Sequence, residues 1–114
     1  MAFRPLEVKV TPAPGVVTVH IVGDVSTDAI DKMRQGIASA IAQKQPKVIL
    51  DLSQTSFLSS PGLAVLVQTL QLTQRGGSKL ILSGPNERVR GIFEISRLTE
   101  VFTIVLTYED ALAR

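Results

Sequence analysis

The chain has 114 residues, no cysteine and one histidine, with 45% hydrophobic and 19% charged residues and a formal net charge of +2. This length and composition describe one globular domain rather than a disordered chain, and the lack of cysteine excludes disulfides, thiolate metal sites and a cysteine nucleophile. Twelve Lys and Arg run from Arg4 to Arg114 interleaved with ten Asp and Glu, and only five residues are Phe or Tyr, so there is no basic, aromatic stripe of the kind that binds nucleic acid.

Residues 1–6 read as an N-terminal tail of a single domain spanning 1–114. The first residues lack the apolar core of a secretion signal, and no run approaches the ~18 apolar residues of a membrane span. The expected compartment is the cytoplasm. Glu7–Val10 is predicted as a short strand, Pro12-Ala13-Pro14-Gly15 as a turn, and Val16–Val22 as a stronger strand rich in β-branched residues. Gly23-Asp24-Val25-Ser26 leads into a helix that Ser26 or Thr27 can cap. Asp28 and Asp31 stand in its first turn, where the helix dipole favours anions. Ile30, Met33, Ile37 and Ile41 recur at spacings of three and four and form one apolar stripe, which Pro46 ends.

Val48-Ile49-Leu50-Asp51-Leu52 is a nearly unbroken apolar run, as expected for a strand covered on both faces of a parallel sheet. A loop over Ser53–Ser59 comes next. A second helix is predicted from about Pro61 to Gln74, with Leu63, Leu66, Val67 and Leu70 on one face and Gly76-Gly77 as its C-terminal cap. Lys79–Ser83 is the next strand. Gly84-Pro85-Asn86 turns into a third helix capped by Asn86 and carrying Val89, Ile92 and Phe93. Thr103–Val105 reads as a last short strand, and Thr107-x-x-Asp110 resembles a capping box opening a short C-terminal helix. Leu63, Val67, Ile92, Phe93 and Phe102 are expected in the core. Strands alternating with helices imply right-handed βαβ units, so the fold class is α/β: a mostly parallel central sheet, an N-terminal antiparallel strand and about four helices.

The segment from Val48 to Leu63 carries the chemistry. A buried strand runs into a hydroxyl-rich loop and then into a helix start, beyond the carboxyl end of a parallel strand, where sites gather in such sheets. Ser60 is predicted as the N-cap and Pro61 as the first helical residue, an arrangement that contributes about 1 kcal/mol of stability. The same position has a second capacity. A helix N-terminus stabilises negative charge, so a phosphate on Ser60 would leave the fold intact while repelling a partner docked over the loop.

Other candidates carry less. His20 lies mid-strand with no second metal ligand nearby and reads as a surface or satisfied strand histidine. Asp51 can hydrogen-bond the loop amides around Phe57–Ser59 or position a partner, and the structural role is the one expected. The phosphate-loop pattern is absent, and no paired carboxylates suggest hydrolysis.

The run Leu50-Asp51-Leu52-Ser53 followed by Phe57-Leu58-Ser59-Ser60-Pro61-Gly62-Leu63 and then Val65-Leu66 resembles the phosphorylation-loop signature of STAS domains, the anti-sigma factor antagonists or anti-anti-sigma factors. The likeness extends through Val19–Ser26, Gly76-Gly77, Lys79–Leu82 and Val89–Phe102, from about residue 7 to 112. The resemblance implies Ser60 as phosphoacceptor, with Ser59 as an alternative. It implies a partner-binding surface of Asp24, Ser26, Phe57, Leu58, Ser59, Ser60, Pro61, Gly62 and Leu63. The implied partners are an anti-sigma factor that is also a serine kinase, and a PP2C-type phosphatase that reverses the modification. No cofactor, metal, nucleic acid or membrane insertion is implied, and the expected state is a monomer or weak homodimer. Three positions depart from the family pattern: Ser59 and Ser26 stand where aspartate is frequent, and Pro61 where serine or alanine is.

Two further functions compete with this phospho-switched regulator. One is a STAS binding module of a transport or signalling complex without a phosphoswitch. The other is a hydrolase with Ser60 as nucleophile, which would need a base within hydrogen-bond reach; a non-enzymatic role is expected.

Overall fold

The computed structural model describes residues 3–114, so Met1 and Ala2 of the expected tail lie outside the described residues. Eleven elements succeed one another: strand β1 (Glu7–Ala13), strand β2 (Val16–Val25), a 3-10 turn (Thr27–Ala29), helix α1 (Ile30–Ile41), strands β3 (Lys47–Asp51) and β4 (Thr55–Leu58), helix α2 (Ser60–Gly76), strand β5 (Lys79–Ser83), helix α3 (Glu87–Ile95), strand β6 (Thr103–Val105) and helix α4 (Tyr108–Ala113). The sheet runs β1-β2-β3-β5-β6, with β4 paired to β2 off that path. Only the β1–β2 pair is antiparallel, which is the α/β architecture expected from the sequence.

Several elements differ in extent from their sequence signals. Strand β1 continues through Pro12 to Ala13, because it is the outermost strand and an edge tolerates a residue without a ladder donor. The turn is therefore confined to Pro14-Gly15. Strand β2 runs three residues past Val22, and its register with β4 shifts between Gly23 and Asp24. Helix α1 stops at Ile41 rather than at Pro46, and Lys44 adopts a left-handed conformation (φ 53°) before β3. Neither Ser26 nor Thr27 makes a side-chain cap. Ser26 precedes the 3-10 turn, and the α-helix starts only after it. Within the span expected as a tail, Leu6 is buried and its carbonyl accepts from Lys32 Nζ at 2.7 Å, so the chain from Arg4 is part of the fold.

Alternation along the strands gives the sheet two apolar faces. Val17, Val19, Ile21, Val48, Leu50, Leu80 and Leu82 face α1, α2 and α3, where they meet Met33, Ile37, Leu66, Val89 and Phe93. Phe93 and Phe102 pack edge to face with centroids 5.5 Å apart. Leu63, Val67 and Ile92, expected in the core, sit partly buried at its margin. On the opposite face Ile49 and Ile81 pack against Ala111, with Val16, Val105 and Tyr108 around them. Helix α4 is capped by Thr107, whose hydroxyl accepts from the Asp110 amide, and Lys47 Nζ donates to the carbonyls of Ala111 and Leu112 at its other end.

Gly23 shows how tightly the N-terminal segment is held. Its φ is +101°, and a Cβ there would lie 2.5 Å from the carbonyl oxygen of Pro5, a backbone atom that cannot turn aside. Gly23→Ala combines a disfavoured conformation with this overlap and is expected to lower stability by about 2 kcal/mol or more, measured by chemical denaturation.

Candidate functional site

The loop predicted over Ser53–Ser59 contains strand β4, which has no signal in the sequence. Its hydroxyls are what place it. Thr55 is buried and its Oγ1 donates to the carbonyl of Ile21 at 2.6 Å, while the Thr55 carbonyl accepts from Asn86 Nδ2 at 3.1 Å. Gly23 N donates to Gln54 O, and Ser59 N donates to Val25 O, both at 2.9 Å. The strand is thus locked to the end of β2 at both its ends, and Leu58 is sunk into the core at 3% exposure.

Ser59, rather than Ser60, is the N-cap of α2. Its backbone is extended, its Oγ accepts from the Gly62 amide at 3.2 Å, and it is 8% exposed. Ser60 is the first residue of the helix and is exposed, and Pro61 is the second, also exposed. The shift by one residue has a simple reason. The amides of both the first and second helical residues lack intrahelical acceptors, so Pro is accommodated at either, and the Ser59 N–Val25 O bond sets the register. Gly62 is buried where α2 meets the sheet. A Cβ there would come 2.7 Å from Val25 Cγ1 and 2.9 Å from Leu58 Cδ1, so a side chain would push the helix off β2.

The remaining residues implied by the family likeness fall into two groups. Phe57, at 43% exposure, and the half-buried Leu63 stand on the surface near Ser60, whereas the Leu58 and Gly62 side positions face inward. Asp24, on the end of β2 beside β4, and Ser26, just past that end, are half-buried. The Asp24 carboxylate accepts from the Arg4 amide at 3.1 Å, and the Asp24 amide donates to the Arg4 carbonyl at 2.9 Å. The Ser26 hydroxyl is buried without a partner. Arg4 also donates through Nη1 to Ser56 Oγ at 3.1 Å, a contact that joins residues 52 positions apart and has no local sequence signal.

Asp51 does not reach the Phe57–Ser59 amides as expected. Its Oδ1 instead accepts from the Ser53 amide at 3.0 Å, and its Oδ2 pairs with His20 Nδ1 at 2.9 Å, because the parallel register sets His20 opposite Asp51. Burial alone would raise the Asp51 carboxyl, but hydrogen bonding from Ser53 and the bond and charge of His20 together hold it below the ordinary carboxylate value. His20 is thereby engaged with a carboxylate and not with a serine nucleophile. Among the described residues no cluster of three or more His, Cys, Asp or Glu is placed to hold a metal ion, and no helix is long and apolar enough to cross a membrane.

The STAS domain family model matches residues 7–111. The anti-sigma F factor antagonist of Paenibacillus polymyxa is 24% identical over 100 residues, covering 87% of this chain and 86% of that protein. The structure of an anti-sigma factor antagonist from Mycobacterium paratuberculosis is similar with a TM-score of 0.82 at 27% identity, covering 96% of this chain and 92% of that one. A sulfate transporter family protein from Wolinella succinogenes shares the fold with a TM-score of 0.77 at 23% identity, over 92% of this chain and 87% of that one.

This geometry sets two outcomes. Ser59→Ala is expected to lower stability by about 1 kcal/mol through loss of the cap, whereas Ser60→Ala changes it by less than about 0.5 kcal/mol; parallel denaturation curves of the two variants check this. A carboxyl whose folded-state value lies below its unfolded value stabilises fully above the unfolded value, and this stabilisation disappears as pH falls through the folded value. Asp51→Asn is therefore expected to lower stability by about 1 kcal/mol at neutral pH, with the gap from wild type closing in acid below the ordinary carboxylate range, as denaturation at a series of pH values would record.

Proposed function

The chain belongs to the STAS domain family, and from that premise we propose that it is an anti-sigma factor antagonist regulated by phosphorylation at Ser60. In its unmodified form it binds an anti-sigma factor that is also a serine kinase, and so frees a sigma factor for transcription. Phosphorylation of Ser60 releases the partner, and a PP2C-type phosphatase restores the binding form. The compartment is the bacterial cytoplasm, no catalysis by this chain is involved, and no nucleic acid is contacted.

One observation carries the reading. Capping is done by Ser59, so the Ser60 hydroxyl is exposed and free of any structural duty. Ser59 is the weaker acceptor candidate, being buried with its oxygen committed to the Gly62 amide. A phosphoryl group on Ser60 adds close to two negative charges at the positive end of a 17-residue helix, where the domain itself tolerates them. The surface changes from neutral to anionic while the fold beneath stays as it is. Phe57 and Leu63, each three residues from Ser60, supply apolar area, while Leu58 and Gly62 are buried where α2 meets the sheet.

A second reading is favoured by the fold shared with the sulfate transporter family protein: a binding module of a transport or signalling complex, without a phosphoswitch. The two differ in what Ser60 does. Wild-type and Ser60→Asp proteins used as baits in lysate of the source organism, with mass spectrometry of what each retains, separate them. A kinase-like anti-sigma factor held by wild type and lost by Ser60→Asp is the expected result. Equal retention of a transport component by both baits would replace it with the second reading.

A further inference from the structure

Beside the start of β4 lies an open groove of about 350 Å³ whose lining includes Arg4, Gln54, Ser56, Asn86, Glu87 and Arg88. Every residue that lines it is polar or charged, and both of its arginines are exposed. Among the described residues neither has a carboxylate within ion-pair distance; the only ion pair there is His20–Asp51. Arg4 is nonetheless not loose. Its backbone is bonded to Asp24 through both amide and carbonyl, and its Nη1 donates to Ser56 Oγ, which holds the guanidinium along the groove. Asn86 has both ends of its amide committed, one to Thr55 O and the other to the Val89 amide, so it forms a fixed wall rather than an adaptable contact. Glu87 is the one acid of the lining against two arginines, which leaves the groove cationic.

We propose that this groove is part of the docking surface for the anti-sigma factor, and that the partner fills it with carboxylate side chains. The inference rests on the anti-sigma factor reading above and adds the partner's chemistry to it. Ser56 and Ser60 lie on one continuous segment four residues apart, roughly 13 Å at the rise of a strand. A protein interface of ordinary size covers roughly 800 Å² on each side, a patch about 30 Å across, so a partner seated over Ser60 and extending along β4 reaches the groove. Phe57 stands between them at 43% exposure, in the place of an apolar anchor. Arginine is suited to the outer part of such a surface, because its planar fork takes a carboxylate in two parallel hydrogen bonds. Opposite charge across the contact also speeds encounter and sets orientation.

The test is the affinity, at low and at raised ionic strength, of the anti-sigma factor retained by the wild-type bait. It is measured against wild type, Arg4→Glu/Arg88→Glu, and Arg88→Glu alone. The single variant removes no hydrogen bond of the fold and guards against a folding defect in the double one; matching melting temperatures confirm that both are folded. Charge reversal at both positions is expected to weaken binding about 100-fold at low salt, Arg88→Glu about 10-fold, and the differences shrink as salt rises. Affinities of both variants within twofold of wild type at low salt overturn the inference. Should Ser60→Asp still abolish binding in that case, the anti-sigma factor reading stands and only the groove is dismissed. A wild-type bait that retains no anti-sigma factor overturns both.

Discussion

Strand β2 serves two neighbours along one edge, and the rest of the site depends on that division. Its first half pairs with β3 from Val16 to His20, and its last residues pair with β4 from Gly23 to Val25. Between Gly23 and Asp24 the register of the new pair shifts by one, because β4 carries an extra residue, Ser56, between Thr55 and Phe57, and such an insertion bends the strand that holds it. Gly23 N turns toward Gln54 and Asp24 N toward Arg4, so the two edges of β2 are filled by segments far apart in the chain. Were β4 a free loop, Leu58 would have no fixed depth, Ser59 no fixed acceptor, and the start of α2 no fixed register.

From that ladder the labour of two adjacent serines divides. Ser59 turns inward to satisfy the helix, and Ser60, next along the helix, turns outward with nothing to satisfy. Neighbouring residues of identical chemistry thus have unlike environments because a buried leucine and one backbone hydrogen bond set the phase. A hydroxyl free of structural duty can be modified without destabilising the fold, whereas its neighbour cannot. Gly62 adds the other requirement, closeness, by letting α2 approach β2 at a distance that no side chain would permit.

How much of this is legible in the sequence depends on range. The α/β class, the antiparallel first pair, the Asn86 and Thr107 caps and the end of α2 at Gly77 all rest on signals within a few residues, and they can be read directly. Strand β4 cannot. It is four residues long and rich in hydroxyls, and Thr55 is buried by a hydrogen bond to Ile21, 34 positions earlier, rather than by apolar character. Local spacing misplaces the cap by one because Pro61 fits the second helical position as well as the first. It also gives Asp51 the wrong amides, because the real partner, His20, becomes a neighbour only once β2 and β3 are in register.

The second face of the sheet carries a consequence for how the chain folds as it is made. Ile49 and Ile81 are completely buried, yet their cover is α4, six residues that come after every strand. The larger core, between the sheet and α1 to α3, can close while synthesis is still under way. The smaller one stays open until Ala111 has left the ribosome. A nascent domain would thus pass through a stage with one face finished and the other bare and apolar, and the closing helix, held by Lys47 at its end, ends that exposure.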